Sequence, residues 1–491
     1  MSVANEVQAW HATSLPAYSP TPKRKRRGHA QNFFILCNVS HLKLKHLYSR
    51  SNSVENNKET QESIPASKVA RATAFLKTGV KVGTNYVKHY AKKLVTEVDK
   101  ETLDEQNANT IYETLSHLKG SALKVAQMMS MDEQNLPKAY TRVFAQAQYK
   151  APPLSGPLII KTFKECFGKT PQEIFDTFEM NATHAASIGQ VHKATKNGQT
   201  FAIKIQYPGV KESISSDLKM VKPFAMRLIK MKQKELDVYI QEIEQKLIEE
   251  TDYLLELKHG QEISAFCKDV PNVFFPKYYP EYSSAKVLTM EWVHGKHLDQ
   301  FLAENPSQKL KNKVGQAIWD FYNYQIHYLK KIHSDPHPGN FLIDEQGNLC
   351  VLDFGCVKEI PDSFYTEYFK LTHPDTLNSD EKTEQSLRIL EIIRSTDSPE
   401  QAHYFVKLFQ GMLNILVKPY YQDNFDFGNS QYYADAQVYA EELSKMREAR
   451  GSKHFIYVNR TYFGIYSMMQ QLKASIETGK QWNLNNFVVL N

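Results

Sequence analysis

The feature that most constrains this 491-residue chain is a polar loop followed at short distance by an Asp-Phe-Gly turn. The loop reads His-Ser-Asp-Pro-His-Pro-Gly-Asn over 333–340, so Asn340 stands five positions after Asp335. Asp353 opens the Asp-Phe-Gly turn after a gap of hairpin length. Phosphoryl transfer needs a carboxylate at the attacking group and oxygen ligands that hold Mg²⁺ across the phosphates. The spacing therefore predicts Asp335 as base or water-positioning group, and Asn340 and Asp353 as Mg²⁺ ligands.

A zinc site and a chance match are the two alternatives to phosphoryl transfer for these residues. His333 and His337 could be zinc ligands, but no third ligand stands at metal-site spacing. Pro336 and Pro338 also oppose the helix on which a His-x-x-x-His zinc site is built. Asp-Phe-Gly by itself occurs by chance in many proteins. Its position after an apolar-rich helix at 311–332 and between two short strands favours phosphoryl transfer over both alternatives.

Upstream of this region, the hydrophobic period changes from that of a helix to that of strands. Residues 190–194 and 200–204, joined by Lys-Asn-Gly-Gln, are typical of two strands and a tight turn. The second strand ends in Phe-Ala-Ile-Lys, the pattern that places a lysine against the α and β phosphates of a nucleotide. We therefore predict that Lys204 binds the nucleotide phosphates.

Such a lysine needs a carboxylate partner from a helix, and an acidic helical stretch at 249–256 offers two. Asp252 and Glu256 lie one turn apart on one face, although solvated acidic faces of this kind are common. We assign to Glu256 the role of orienting Lys204. Glu256 stands 52 residues beyond Lys204, much farther than in an ordinary kinase, so inserted helices are expected at 212–266.

The loop before these strands departs from the usual nucleotide-binding loop. An ordinary kinase carries a Gly-x-Gly-x-x-Gly turn there, whose glycines let backbone N–H groups approach the phosphates. Residues 184–191 keep only Gly189 and place alanines elsewhere, so we expect a stiffer loop that holds the phosphates differently. The expected nucleotide contacts are Ala185, Ala186 and Ser187 in this loop, and Glu291 and Val293 after a strand at 286–290.

Nearer the N-terminus, apolar residues recur at intervals of three and four and predict helices from about 67 to 140. One of these helices carries Lys124 and Gln127 three positions apart, hence on one face. By itself this is an ordinary amphipathic helix. An earlier helix at 71–94 is basic and amphipathic, and it either rests on an anionic lipid surface or packs on the domain.

Composition limits the partners and the compartment. The net charge of +6 is modest for this length, so no nucleic-acid partner is expected. Five scattered cysteines without a Cys-x-x-Cys pair indicate a reducing compartment. No run approaches the roughly 18–20 apolar residues of a membrane span, so any membrane contact is expected to be peripheral. Residues 1–66 are polar, basic and acid-poor, which fits either a dispensable tail of a cytoplasmic protein or a transit peptide for mitochondria or plastids.

Taken together, residues 100–370 resemble the UbiB/AarF family of atypical kinase-like proteins. The segment Ala-Ala-Ser-Ile-Gly-Gln-Val-His and the His-x-Asp-x-His-Pro-Gly-Asn loop carry the resemblance. The family has a Lys-x-Gly-Gln motif in an N-terminal extension over the nucleotide site, and a Glu-x-Asp motif that holds this extension. Lys124 and Gln127 match the first motif, so the resemblance implies that they contact the nucleotide. Ala126 stands in place of the family glycine, and its methyl group is expected to tighten or displace the extension. Residues 250–252 match the second motif.

The resemblance implies a kinase fold, ATP or ADP with Mg²⁺, and a role linked to ubiquinone or other isoprenoid-lipid metabolism. It also implies that phosphorylation of other proteins is not the main activity. The residues support this independently, because a helix is predicted to begin near 361–363, soon after Gly355, and no Ala-Pro-Glu follows. Isoprenoid lipids or quinone-biosynthesis proteins are the expected partners besides the nucleotide. A Ser/Thr protein kinase and a nucleotide-gated lipid-binding scaffold are the alternatives.

We therefore predict an α+β fold with two lobes, like that of protein kinases, with an all-helical N-terminal extension and inserted N-lobe helices. The expected parts are a disordered or targeting tail at 1–66, a helical extension with the Lys124 motif at 67–180, an N-lobe with a helical insertion at 181–295, and a helical C-lobe at 296–491.

Overall fold

The computed structural model describes residues 68–93, 100–118, 122, 138–144, 154–185, 188–228, 233–444 and 450–479. The predictions that lie outside these residues concern the tail at 1–66 and the positions Lys124, Ala126, Gln127, Ala186 and Ser187. Among the helices of the described ranges, none has the length and apolar character that crossing a lipid bilayer requires.

Helices form most of the described chain. They are α1 (Lys68–Lys93), α2 (Lys100–Leu118), α3 (Lys138–Phe144), α4 (Gly156–Phe167), α5 (Pro171–Ile174), α6 (Val210–Leu228), α7 (Gln233–Glu250), α8 (Tyr253–Phe266), α9 (Leu298–Ala303), α10 (Gln308–Tyr324), α11 (Asp362–Leu371), α12 (Pro374–Leu377), α13 (Asp380–Ile389), α14 (Pro399–Leu416), α15 (Ser430–Ser444) and α16 (Lys453–Leu472). The apolar stripe predicted in the N-terminal region is buried along α2, at Ile111, Leu115 and Leu118.

The strands are short except for one hairpin. They are β1 (Thr177–Phe178), β2 (His184–Ala185), β3 (Gly189–Lys196), β4 (Gln199–Gln206), β5 (Val273–Phe274), β6 (Val287–Glu291), β7 (Lys331–His333), β8 (Phe341–Ile343), β9 (Leu349–Val351), β10 (Val357–Glu359), β11 (Asn424–Asp426) and β12 (Ser475–Glu477). The N-terminal lobe holds an antiparallel sheet in the order β1-β3-β4-β6, with β2 also paired to β3. The predicted β3–β4 hairpin turns at Asn197 and Gly198, whose φ angles of 50° and 75° suit a two-residue turn.

Alternation of side chains along β4 gives this sheet two different faces. Phe201, Ile203 and Ile205 point to one face and are buried. The ring of Phe201 packs on Phe175 at a centroid distance of 5.8 Å, within the core that the N-terminal helices share. Lys204 points to the opposite face. The N-terminal helices therefore cover one side of the sheet, and the side that carries Lys204 is turned toward the rest of the molecule.

The predicted inserted helices are present as α6, α7 and α8, between β4 and β6. The buried side of α8 contains Tyr253, Glu256, Gly260 and Ile263, at the spacing of one helix face. A Cβ atom added to Gly260 would lie 2.5 Å from the ring of Tyr278, so only glycine allows α8 to approach this closely. This close approach fixes the position of Glu256 relative to the sheet.

A buried ion pair joins the N-terminal helix α1 to the inserted helix α6. Arg71 donates from Nε and Nη2 to the two carboxylate oxygens of Asp217, at 2.6 and 2.5 Å. A third donation, from Nη1 of Arg71, reaches the carbonyl oxygen of Leu118 at the end of α2 at 3.0 Å. The two side chains are 4% and 0% exposed. One arginine thus connects three helices.

The predicted helix at 311–332 is too long at its C-terminal end. The α-helix α10 ends at Tyr324, a π-helical turn follows over Gln325–Leu329, and Lys330 adopts a left-handed conformation with φ 51°. The last predicted residues form β7, which pairs with β10 just after the Asp-Phe-Gly turn. Strand pairing across the chain therefore overrides the helical period of the sequence.

The segment around the Asp-Phe-Gly turn agrees with expectation. The two short strands predicted beside residues 343–352 are β8 and β9, which pair antiparallel, while β5 pairs parallel to β9. Helix α11 begins at Asp362, as predicted, so residues 356–361 alone connect it to Gly355. Beyond this point the described chain is largely helical and packs around α10, whose Trp319 is fully buried.

Candidate functional site

Three predicted residues from distant parts of the chain meet between the sheet and the helical lobe. The ammonium group of Lys204 donates to both carboxylate oxygens of Glu256, at 2.8 and 3.0 Å, and to Oδ2 of Asp353, at 2.9 Å. The side chains of Lys204 and Glu256 are 12% and 2% exposed, whereas that of Asp353 is 35% exposed. One cation is therefore shared by two carboxylates, of which one is accessible from solvent.

Each of these side chains is directed by its own element. Lys204 lies on the face of β4 opposite to Phe201, and Glu256 lies in the first turn of α8. Asp252 caps that helix, because its Oδ1 accepts a backbone N–H of the first turn at 3.0 Å. Asp353 follows β9, and its Oδ1 accepts the N–H of Gly355 at 2.9 Å, which turns Oδ2 toward Lys204.

Tyr253 packs against the ammonium group of Lys204, and Gly189 packs against Tyr253. The ring centroid of the fully buried Tyr253 lies 5.1 Å from Nζ of Lys204, within cation–π range. A Cβ atom on Gly189 would lie 2.5 Å from the carbonyl oxygen of Ile205 and 2.7 Å from the hydroxyl of Tyr253. The glycine that the loop retains is therefore required for packing in β3. Sequence reasoning missed Tyr253, since an aromatic residue at a helix start is usually a core residue.

Burial and the neighbouring charges shift the pKa values of all three groups. Burial raises the pKa of Glu256 to about 7; Asp353 adds to this shift and Lys204 opposes it. Burial also acts to raise the pKa of Asp353, but Lys204 and the Gly355 N–H outweigh it, so this pKa is lowered. Burial alone would lower the pKa of Lys204, but the two carboxylates raise it well above its ordinary value. At neutral pH Lys204 is a cation, Asp353 is an anion, and Glu256 is close to its titration midpoint.

The predicted catalytic loop adjoins this cluster. Nδ2 of Asn340 donates to the carbonyl oxygen of Asp335 at 2.9 Å, and the N–H of Leu352 donates to the carbonyl oxygen of Asn340 at 3.0 Å. The loop is thereby tied to the residue that precedes Asp353. Arg460 on α16 brings Nη2 to 3.7 Å from Oδ1 of Asp335. Sequence reasoning missed Arg460, because no local pattern marks a residue so far along the chain.

The two histidines of the loop have separate surroundings. His333 is buried, and its Nδ1 lies 3.0 Å from the hydroxyl of Tyr322. His337 is exposed, and its Nδ1 accepts the N–H of Gly339 at 3.0 Å. In the part of the chain that the structure describes, no group of three His, Cys, Asp or Glu side chains is placed to hold a metal ion. Both imidazoles therefore support the conformation of the loop.

The Gln-Val-His part of the alanine-rich segment forms a buried hydrogen-bond chain. Ala185 pairs with Gln190 in the sheet. The side chain of Gln190 accepts the N–H of Leu154 at 2.8 Å and lies 2.7 Å from Nε2 of His192, whose Nδ1 lies 2.8 Å from the carbonyl oxygen of Glu179. Burial lowers the pKa of His192, so the ring is neutral. These hydrogen bonds fix the side chains of Gln190 and His192 in β3.

Glu291 and Val293 follow the sheet at its outer strand. Glu291 pairs with Phe201, so its side chain is on the face opposite to Lys204. Its carboxylate accepts the N–H of Lys277 at 3.2 Å. A contact between Glu291 and a nucleotide on the Lys204 face would therefore come from the backbone. For Glu291 and the half-buried Val293, nucleotide binding stays a prediction.

The chemistry of this donor set suits a magnesium–nucleotide complex. Mg²⁺ prefers carboxylate and amide oxygens together with phosphate oxygens, and Asp353 and Asn340 offer the first two. Among the described residues, the cluster around Lys204 also carries one more carboxylate than cations. Asp353 and Asn340 would hold the metal, and Lys204 would hold the phosphates. These roles, and those of Asp335 and Glu256, stay predictions.

Comparison with known proteins assigns the chain to a family. The model of the ABC1 atypical kinase-like domain matches residues 146–386. The probable serine/threonine-protein kinase abkA of Dictyostelium discoideum is 24% identical over 86% of this chain and 79% of its own length. The mitochondrial atypical kinase COQ8 of Saccharomyces cerevisiae is 31% identical over 66% of this chain and 66% of its own length.

A solved structure has the same architecture. The complex of Rv3197 with erythromycin from Mycobacterium tuberculosis is similar with a TM-score of 0.55 and 24% sequence identity, over 79% of this chain and 97% of that chain. This likeness, with the sheet and helical lobes described above, shows the two-lobed kinase-like fold. The chain thus belongs to the ABC1 family of atypical kinase-like proteins, the UbiB/AarF family that its motifs resemble.

Proposed function

We propose that this protein binds Mg-ATP at the cluster of Lys204, Glu256 and Asp353 and transfers or hydrolyses the γ-phosphoryl group. The observation that carries the proposal is the Lys204 ammonium held by Glu256 at 2.8 Å and by Asp353 at 2.9 Å. Enzymes of phosphoryl transfer act mainly by positioning and by charge, with little covalent chemistry. The name atypical kinase, which the COQ8 relative carries, supports the same class of reaction.

The proposed reaction assigns one task to each side chain. Lys204, a cation at neutral pH, binds phosphate oxygens while Glu256 keeps its ammonium group in place. When bound, Mg²⁺ neutralises charge on the phosphates, and Asp353 and Asn340 hold it. Asp335 takes the proton of the attacking hydroxyl or water. At the same time the oxygen of that hydroxyl or water bonds to the γ-phosphorus. The bond from the γ-phosphorus to the bridging oxygen breaks, ADP leaves, and the proton passes from Asp335 to solvent.

We favour water or a small hydroxyl compound over a protein as the acceptor. In a protein kinase the activation segment between Asp-Phe-Gly and Ala-Pro-Glu orders the site for its substrate. Here residues 356–361 alone separate Gly355 from α11. The name of the Dictyostelium relative, a probable serine/threonine-protein kinase, keeps protein phosphorylation as the second candidate.

We further propose that the activity serves isoprenoid-quinone or lipid biosynthesis at an anionic membrane surface. The outer face of α1 supports this, because its apolar side chains are 70% to 77% exposed and lie at helical spacing: Val69, Leu76, Val80 and Val87. Exposed lysines stand beside them at Lys77, Lys81 and Lys88. An apolar stripe flanked by cations suits the interface of an anionic bilayer.

A mitochondrial location is the compartment we propose. The name of the COQ8 relative places that protein in mitochondria. The basic, acid-poor composition of residues 1–66 is typical of a transit peptide. Fusion of residues 1–66 to a fluorescent reporter tests this proposal, since import of the reporter supports it and a diffuse cytoplasmic signal contradicts it.

Phosphate release from Mg-ATP by the purified full-length protein tests the central proposal. We expect Asp353→Asn to lower kcat on the order of 100- to 1,000-fold, because it removes a predicted metal ligand. Asp299→Asn, at an exposed position of α9, is the matched control and is expected to retain turnover. Equal turnover in wild type and Asp353→Asn would overturn the proposal.

The same assay separates the alternatives. Stimulation by anionic liposomes, and not by neutral ones, supports the membrane-surface proposal. Efficient labelling of a generic protein substrate with radioactive ATP favours the protein-kinase candidate instead. Tight nucleotide binding with no turnover under any of these conditions indicates a nucleotide-gated scaffold.

A further inference from the structure

The helix that carries Glu256, and the end of the helix before it, are each attached to the helical lobe by an ion pair. Glu262, near the end of α8, binds Nζ of Lys331 on β7 at 2.5 Å. Glu249, in the last turn of α7, forms an ion pair with Lys358 on β10. These two contacts lie on either side of Glu256 along the chain. Glu256 therefore lies between two attachments, one at the end of α7 and one on α8, through residues that form no part of the predicted nucleotide site.

The two lysines stand on strands that border the catalytic segments. Strand β7 leads directly into the loop with Asp335, and β10 follows directly after Gly355. The two strands pair with each other, with Lys358 opposite Ile332. The paired strands β7 and β10 thus connect the catalytic loop and the Asp-Phe-Gly turn to α7 and α8. Movement of α8 together with the end of α7 would break the ion pairs to both strands.

A third contact lies between the two ion pairs. His259 stands three positions after Glu256, on the same side of α8. Burial lowers the pKa of His259, and the nearby backbone of Phe354 opposes that shift. Lys358 is fixed from the other side as well, because Nζ lies 5.2 Å from the ring centroid of Tyr457 on α16. The attachment therefore involves several elements of the helical lobe.

The two ion pairs are only partly buried, so their residues can be substituted without loss of the core. Lys331 and Glu262 are 22% and 35% exposed, and Lys358 and Glu249 are 19% and 36% exposed. These values lie between those of exposed pairs, which contribute little, and those of fully buried pairs, whose disruption strongly destabilises a protein. Reversal of one charge can therefore release the helix while the core remains folded.

We propose that Lys331 and Lys358 are positioning residues that lock α8 with Glu256 on Lys204, so that the site is assembled without a phosphorylation event. This inference rests on the proposed function. In protein kinases, phosphorylation of the activation segment and the position of the corresponding helix decide whether the Lys–Glu pair forms. Residues 356–361 are short for such a switch, and two permanent ion pairs replace it.

The test is a charge-swap series on the full chain. The first variant, Lys358→Glu, places a carboxylate opposite Glu249; the second, Lys358→Glu/Glu249→Lys, restores an ion pair in reversed order. We expect Lys358→Glu to weaken binding of Mg-ADP about tenfold, the coupling typical between distant sites, and the reversed pair to recover most of this loss. Lys331→Gln is expected to add to the defect of Lys358→Glu. Lys407→Glu, which breaks an exposed pair with Asp380 in the helical lobe, is the matched control without effect.

Hydrogen exchange of the backbone amides at 253–266 gives a readout that needs no nucleotide. These amides are expected to exchange faster in Lys358→Glu and at the wild-type rate in the reversed pair. If the wild type fails to bind Mg-ADP, the proposed function fails, while the exchange rates still decide this inference. Unchanged exchange in Lys358→Glu, or no recovery in the reversed pair, overturns it. Weaker Mg-ADP binding after phosphatase treatment of the wild type overturns it as well.

Discussion

Two clusters of buried charge in this molecule have opposite designs. Arg71 and Asp217 form a balanced pair, with one cation and one anion that are 4% and 0% exposed. Ser213 donates to the same carboxylate at 3.0 Å, and Leu118 accepts from the guanidinium. Lys204, in contrast, is shared by Glu256 and Asp353, so that cluster holds one cation and two carboxylates in the part of the chain that the structure describes. The first cluster is closed, and the second is open on the Asp353 side.

The difference separates a structural ion pair from a site. A pair with equal positive and negative charge does not attract a further ion. The contacts of Arg71 instead hold α1, α2 and α6 together. An unbalanced cluster in a partly buried place favours a further cation, and it shifts pKa values because like charges lie close together. Burial raises the pKa of Glu256, and the neighbouring Asp353 carboxylate adds to that shift. Burial of charge alone would not have distinguished the two clusters.

The largest effect on stability is expected from Asp217→Ala. This variant leaves the Arg71 guanidinium buried without its carboxylate, and breaking a buried pair from one side typically costs about 3–5 kcal/mol. Turnover per folded molecule should stay at the wild-type value, because the pair lies apart from the Lys204 cluster. Denaturant unfolding and phosphate release by the same preparation measure the two quantities.

Glu113→Ala is the matched control for this prediction. It removes the partner of Lys81 in an ion pair between α1 and α2, with a distance of 3.5 Å. The two side chains of this pair are 62% and 68% exposed. Exposed pairs contribute about 0–1 kcal/mol. Equal losses of unfolding free energy in Asp217→Ala and Glu113→Ala would show that the buried pair has no special role.

A smaller effect is expected from pH, and it belongs to the open cluster. The pKa of Glu256 is raised to about 7, so Glu256 is a full carboxylate partner of Lys204 only above that pH. We expect kcat/KM for Mg-ATP to fall as pH falls through about 7. In Glu256→Gln the profile should lose this step and lie lower throughout. If both proteins show a fall in kcat/KM at the same pH, a group other than Glu256 causes it.

The same shift has a stability consequence of defined sign. The folded protein holds the Glu256 proton more tightly than the unfolded chain, whose ordinary value is 4.5. The stabilisation from this group is therefore complete below about pH 4.5 and is lost as pH rises to about 7. Asp353, with a lowered pKa, contributes in the opposite direction at acid pH. Melting temperatures of wild type and Glu256→Gln against pH record the difference.

Much of the site could be predicted from local patterns. Lys204 ends an apolar strand after a hairpin turn, and Asp335, Asn340 and Asp353 have fixed spacings within one loop and hairpin. These features depend on residues that are close in the sequence, so they can be recognised from local spacing alone. Pairing of Glu256 with Lys204 required an assumption about a helix 52 residues away, and the structure brings the two together at 2.8 Å.

Other features depend on contacts between distant segments and left no local signal. Arg71 and Asp217 are 146 positions apart, and each resembles an ordinary residue of a basic or polar helix face. The end of the helix predicted at 311–332 was wrong because β7 pairs with β10 across the catalytic segments. The role of Gly189 in packing against Tyr253 was also not predictable, since a glycine in a nucleotide loop suggests contact with phosphate.

The most direct test of the central claim is calorimetric titration of ADP with and without Mg²⁺. If the unbalanced cluster is the metal–nucleotide site, replacing Mg²⁺ by EDTA should weaken ADP binding to the wild type at least about tenfold. Asp353→Asn should bind ADP with nearly the same affinity in both buffers, because the excess carboxylate is gone. Equal affinities for the wild type with Mg²⁺ and with EDTA, or a full Mg²⁺ dependence in Asp353→Asn, would contradict the account.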